Sequence, residues 1–409
     1  MGFDAGDKMM SVEQALALLA ERARPTDQTE MVTLAQALGR ILAEDVVSPV
    51  NVPPHDNSAM DGYAFSAAPL PPTGRLRRIG RSAAGQPFDG VVGEGECIRI
   101  LTGAMVPASV DTVAMQEDCA VEGEDVIVPT TLKAGANCRS AGEDVRIGAA
   151  VLGAGIRLRP QDLGLAAAVG RTALRVYRPL RAAVFSTGDE INEPGTVLPP
   201  GGIYDSNRFT ASALLRSLGL GVTDLGILAD DRAVIAAALA AAAVDHDVIL
   251  TSGGVSVGDE DHVKAAVQSQ GSLHFWRLAI KPGKPVALGE VAGKTFIGLP
   301  GNPVAVMVCF MLLARPLLLR LMGAVQLEPP RIPVRAAFGF RHKPGRREWL
   351  RARLVSRDDG LWAEKYPVES SGVLSSMVWA EGLVAVPEES ADVACGDRLD
   401  FVSFTEVLR

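Results

Sequence analysis

The run Thr-Ser-Gly-Gly-Val-Ser-Val-Gly-Asp-Glu-Asp-His-Val-Lys at 251–264 joins the end of an apolar segment to a glycine turn, then to three consecutive acids ahead of a helical pattern. Glycines at the carboxyl end of a strand let backbone N–H groups approach an anion with no Cβ in the way, and a helix starting there adds its positive end. Ser252, Gly253, Gly254, Val255 and Ser256 are therefore candidates for a phosphate cradle. The acids complicate that assignment. Asp259 and Asp261 suit a helix N-terminus, yet three acids are more than a cap needs. Two like charges about 4 Å apart cost roughly 4 kcal/mol at an effective dielectric of 20, so carboxylates beside a phosphate imply a bridging cation. Oxygen-only ligands completed by water suit Mg2+ rather than zinc.

Two further turns follow apolar runs in the same manner: Ser186-Thr187-Gly188-Asp189-Glu190, and Pro300-Gly301-Asn302-Pro303. In a parallel sheet such turns share one edge and open one crevice of the kind that holds nucleotides or phosphates. Asn302 before Pro303 is also a good N-cap and first-turn pair, so helix initiation alone accounts for it in isolation. More acids gather at these ends, with Asp189 and Glu190 in one turn and Asp230 and Asp231 after another apolar run. Taken singly, each acid is more often a cap or a solvated side chain than a metal ligand. Positive charge comes from 277–285, Arg-Leu-Ala-Ile-Lys-Pro-Gly-Lys-Pro, where strand alternation puts Arg277, Ala279 and Lys281 on one face. Two prolines and a glycine stiffen the turn that carries Lys284, which favours anion contact.

The segment 54–64 contains Asp61-Gly62 and is too polar for a core strand; an Asx turn explains Asp61 as well as function does. The turns holding Thr102 and Asp144 are similar. There is no G-x-x-x-x-G-K-[ST], no G-x-G-x-x-G fingerprint, no H-E-x-x-H and no assignable triad. P-loop nucleotide hydrolysis and serine or cysteine nucleophile chemistry are thus disfavoured.

These residues need elements to hold them. Residues 178–330 alternate apolar runs at 181–186, 222–228, 248–251, 273–280 and 295–299 with helical patterns at 206–218, 232–243 and 262–268. That rhythm is an α/β domain with a doubly wound parallel sheet. Ser11 with Gln14 forms a capping-box pattern ahead of a helix at 11–22, and a second helix follows Pro160. Between them 50–148 is rich in Pro, Gly and short β-like runs, so it reads as a β-rich module inserted into a discontinuous helical domain, 1–49 with 149–177. Residues 331–409 read as a small C-terminal β-barrel.

Composition narrows the function. A net charge of −8 and pI near 5.3 argue against a nucleic-acid partner. The five cysteines (97, 119, 138, 309 and 395) lack C-x-x-C spacing and read as reduced thiols. Residues 1–8 carry no apolar leader, and the apolar run 304–319 is broken by Arg315 and Pro316, short of the roughly 20 residues of a membrane span. No membrane association and a cytoplasmic location are expected.

With these segments in view, the chain resembles the molybdopterin molybdenumtransferase family, which includes MoeA and the E domain of gephyrin. The resemblance covers essentially the whole length and is carried by 56–64, 186–190, 251–264, 281–285 and 298–303, in the family's order. It implies a reaction in which adenylyl-molybdopterin and molybdate give molybdenum cofactor and AMP, promoted by Mg2+. It also implies four domains, the α/β one being a molybdopterin-binding domain, and a homodimer whose cleft lies between the α/β domain of one chain and the N-terminal modules of the other. A molybdopterin adenylyltransferase is the expected protein partner. Carried over residue by residue, Glu190, Asp230 and Asp261 would orient the metal and Asp189 the substrate; Arg277, Lys281 and Lys284 would hold molybdate or phosphate. Ser186, Thr187, Gly188, Ser252, Gly253, Gly254, Val255, Ser256, Pro300, Gly301, Asn302 and Pro303 would bind substrate. Asp61, Thr102 and Asp144 would act from the partner's modules, and Arg351, Ser371 and Ser375 would close the cleft from the barrel. Arg277 replaces the family's usual lysine, exchanging a point donor for a planar fork. The alternatives are an adenylyltransferase, which the α/β domain alone resembles, and a scaffold that binds partners through the barrel.

Overall fold

The computed structural model describes residues 9–254 and 262–408. Its centre is a six-stranded sheet. Four strands run parallel in the order Gly221–Leu228, Arg181–Thr187, Val248–Ser252, Lys294–Leu299. Alternation along them supplies both faces with apolar side chains: Ala182, Val184, Leu250 and Ile297 point to one core, and Ala183, Phe185, Ile249 and Phe296 to the other. Helices Asn207–Ser217 and Pro303–Cys309 cover the first face, Arg232–Asp245 and His262–Gln268 the second.

The sheet is mixed rather than all parallel. In place of one strand over 273–280 there is an antiparallel edge hairpin of Gly271–Arg277 and Pro285–Val291, the latter pairing with Lys294–Leu299. The strand stops at Arg277 because the chain then folds back: Leu278 N–H donates to the Lys284 carbonyl at 2.8 Å, and Pro282 offers no donor to a ladder. Ile280–Lys281 leaves this sheet and pairs in parallel with the barrel strand Arg347–Arg357. Arg277, Ala279 and Lys281 therefore do not share one face of one strand.

The C-terminal barrel closes as expected of such a unit. Arg347–Arg357, Gly360–Lys365, Ile332–Ala336, Arg398–Ser403 and Gly382–Val386 are neighbours in turn, and the last returns to the first. Phe401, Val384, Leu350 and Ala363 fill it.

Around the inserted module the chain returns to itself. Thr29–Thr33 pairs with Ala173–Tyr177 and Val46–Val47 with Ala150–Leu152. Helix Val12–Arg22 has the Ser11–Gln14 capping box, but it buries Val12 and Ala15 in the core of the α/β domain rather than in this module. The module 50–148 holds its own six-stranded sheet with Gly62–Phe65 and Glu96–Ile100 near its middle. The apolar segment Pro303–Leu321 is continuous after all. A π-helical turn at Phe310–Ala314 carries it through Arg315–Pro316, giving a helix long and apolar enough to cross a membrane by composition, 78% of whose most apolar window is buried inside the protein. All five cysteines are free.

Candidate functional site

Register brings the turns together. Ser186 pairs with Ser252 and Ser252 with Leu299, so the three central parallel strands end level and their following turns open on one rim. Gly253 and Gly254 have φ of 85° and 62°, and a Cβ on Gly254 would lie 2.6 Å from Val263 Cγ2. Only glycine keeps this turn against the next helix. At Gly188 (φ 137°) an added Cβ would lie 2.7 Å from Glu190 Oε2, so this glycine leaves room for the Glu190 carboxylate.

The rim faces a cavity of about 780 Å³ whose walls come from three places. The α/β turns contribute Glu190, Gly253, Gly254, Pro300, Gly301 and Asn302. The stiff turn contributes Lys281 and Lys284, and a barrel loop adds Glu369, Ser370 and Ser371. Asn302 is the N-cap of Pro303–Cys309 but makes no side-chain cap bond, which leaves its amide to the cavity it lines. The Val304 N–H donates to the Ser371 carbonyl at 3.1 Å and fastens the barrel loop to that helix start. Lys281 Nζ lies 3.0 Å from Glu348 Oε1, an ion pair from stiff turn to barrel.

Other expected residues stand behind the wall or apart from it. Ser186 is buried with its hydroxyl unpartnered among the described residues, and Thr187 Oγ1 donates to Asp230 Oδ1 at 3.3 Å. Asp189 and Pro303 flank the lining without joining it, and Arg277 ends its strand opposite Pro285. Arg351 is 3% exposed and donates to Ser376 Oγ and to the carbonyls of Val368, Glu369 and Ser370. Burial lowers its affinity for a proton. The structure thus places Arg351 behind the loop, where it shapes the cavity wall through carbonyls instead of forming that wall. Ser375 is exposed at the start of the short helix Ser375–Trp379 and does not line the cavity. Val255, Ser256 and Asp261 lie outside the described residues.

Asp61 and Thr102 form a separate cluster on the module 50–148. Asp61 Oδ1 accepts from the Thr102 N–H at 2.7 Å and from its hydroxyl at 2.8 Å. These two donors, with Arg99 nearby, hold the Asp61 carboxyl below the usual aspartate range. Asp144 is exposed, its N–H donating to the Val52 carbonyl. None of the three lines the cavity of its own chain.

Among the described residues no group of three His, Cys, Asp or Glu side chains could hold a metal. Glu190 lines the cavity and Asp230 stands behind it, bonded to Thr187. Each offers oxygen alone, the donor type Mg2+ takes as one or two carboxylates completed by water and phosphate oxygens. Sequence reasoning missed Glu348, Glu369 and Ser370. Their neighbour Ser371 is placed at the cleft by the resemblance alone, and nothing in the residue types of 369–372 connects that run with a strand end some seventy residues away.

Residues 10–170 match the family model described as the MoeA N-terminal region (domain I and II), 183–320 a probable molybdopterin binding domain, and 333–404 the MoeA C-terminal region (domain IV). A molybdopterin molybdenumtransferase of Haemophilus influenzae is 38% identical across 98% of this chain and 100% of its own. Molybdopterin molybdenumtransferase 2 of Mycobacterium tuberculosis is 36% identical across 97% and 100%. A crystal structure of the molybdopterin biosynthesis protein MoeA from Pyrococcus horikoshii superposes with a TM-score of 0.84 at 28% identity, covering 97% of this chain and 100% of its own.

Proposed function

The chain belongs to the molybdopterin molybdenumtransferase (MoeA) family, and on that footing we propose that it takes adenylyl-molybdopterin and molybdate to the molybdenum cofactor and AMP. Transfer of molybdenum into molybdopterin is the function its relatives' name states. The observation that carries the finer reading is the cavity, where glycine turns able to take a phosphate face two lysines able to take a tetrahedral oxyanion.

The backbone of Gly253, Gly254 and Gly301 approaches the substrate phosphates, and Asn302 orients the substrate through its amide. Lys281 and Lys284 hold molybdate against the same wall. Ser370 and Ser371 close the barrel side. Glu190, Asp230 and Asp261 would hold a Mg2+ whose charge, when bound, offsets the phosphate oxygens. Asp61, Thr102 and Asp144, which do not line their own chain's cavity, complete the cleft of a second copy in a homodimer. We place the reaction in the cytoplasm, supplied by an adenylyltransferase. AMP release from adenylyl-molybdopterin on addition of molybdate and Mg2+ supports this reading. Pyrophosphate released from ATP and free molybdopterin, with no AMP released from adenylyl-molybdopterin, overturns it in favour of adenylation.

A further inference from the structure

Glu348 lies near the start of the barrel strand Arg347–Arg357, directly in register with Lys281 across the parallel pairing of Ile280–Lys281. Its side chain is 8% exposed and that of Lys281 41%. The 3.0 Å contact between Lys281 Nζ and Glu348 Oε1 is the one side-chain bond of this carboxylate among the described residues. A buried carboxylate left without its cation is costly, so Glu348 holds Lys281 strongly and the lysine's position follows the barrel. The strand start is itself anchored. Arg347 binds Glu388 at 2.9 Å and also pairs with Glu13 of helix Val12–Arg22. Lys284, three residues on, lines the same cavity and has no such partner among the described residues.

We propose that Glu348 is a positioning residue for oxyanion binding: it fixes the Lys281 ammonium at the cavity wall, so that the C-terminal barrel takes part in the site through a carboxylate that never touches the ligand. An ammonium has three N–H donors. One serves Glu348 and two remain for an anion, now held at a fixed distance from Lys284 and from the glycine turn. A pair that only joined barrel to sheet would not need its lysine open to the cavity.

This inference rests on the oxyanion reading of the cavity, and its test separates the two. Molybdate binding is measured by equilibrium dialysis for the full-length protein and for E348Q, K281M and K281M/E348Q. The last pair of substitutions keeps side-chain size while removing both charges, so neither is left buried alone. E348Q should weaken molybdate binding roughly fivefold, and should add nothing to K281M, as for two residues acting as one unit. Unchanged or tighter binding in E348Q, or a further loss of the same size on the K281M background, overturns the proposal. A wild-type protein that binds no molybdate refutes the reading of the cavity instead. A second measurement then still decides the role of Glu348. Acylation of Lys281 by acetic anhydride, followed by peptide mass, should rise several-fold relative to Lys284 in E348Q if the carboxylate holds the ammonium; equal labelling in both proteins contradicts it.

Discussion

Two carboxylates at the scale of single residues show how environment divides like groups. Glu348 is buried and paired with a lysine, whereas Asp61 is half-buried and bound by an amide and a hydroxyl of Thr102. The latter bonds favour the charged form, so the folded-state pKa of Asp61 lies below its unfolded value. By linkage, their stabilisation is present above the unfolded value and is lost as pH falls through the lowered folded one. Thr102→Val removes the hydroxyl and keeps the backbone N–H. An NMR titration of the Asp61 carboxyl carbon should therefore show its midpoint moving upward in this variant, part of the way to an ordinary aspartate. An unmoved midpoint would assign the effect to the backbone alone.

Among the elements, the turn after Val248–Ser252 is where backbone geometry is most demanding. Gly254→Ala puts a Cβ into a left-handed conformation and 2.6 Å from Val263 Cγ2. We expect a loss of about 1–3 kcal/mol in chemical denaturation together with weaker anion binding, since the displaced amides belong to both. Wild-type stability would show that helix His262–Gln268 yields to the methyl group. How far such elements could be read beforehand follows from their physics. The parallel strands are short apolar runs between polar turns, and their level ends follow from parallel pairing, so the rim of Glu190, Gly253 and Gly301 was legible in local pattern. The edge hairpin was not. Pro285–Val291 and Gly271–Arg277 are as apolar as parallel strands, and nothing local separates a return strand from a crossover. The pairing of Glu348 with Lys281 and the wall at 369–371 depend on barrel segments meeting the α/β domain from far along the chain. Residue type carries no record of such a meeting, and Arg351, conspicuous in sequence, proves to serve the carbonyls behind that wall.

At the scale of the whole molecule, the cavity is built from the α/β domain and barrel, while Asp61, Thr102 and Asp144 stand on a separate module. If a second copy supplies those residues, two variants defective in different parts should rescue each other. Mixing inactive Asp61→Asn with Lys284→Ala, at a molybdate concentration too low for the latter to turn over, through a dissociation and reassociation step forms hybrid dimers in which one cleft carries both lesions and the other none. Activity should reappear, up to roughly a quarter of wild type for random reassociation into two-fold dimers. A mixture as inactive as its components shows that Asp61 does not act in the cleft of a second copy.

In this function one cavity holds the adenylylated substrate and the oxyanion together. Single-turnover release of AMP from adenylyl-molybdopterin, followed while molybdate is titrated in the presence of Mg2+, tests it most directly. Release should saturate with molybdate in the wild type and require at least tenfold more molybdate in Lys284→Ala, the loss expected for one charge-assisted contact of about 1.4 kcal/mol or more. AMP release that is independent of molybdate, or a Lys284→Ala protein with the wild-type molybdate dependence, would contradict it.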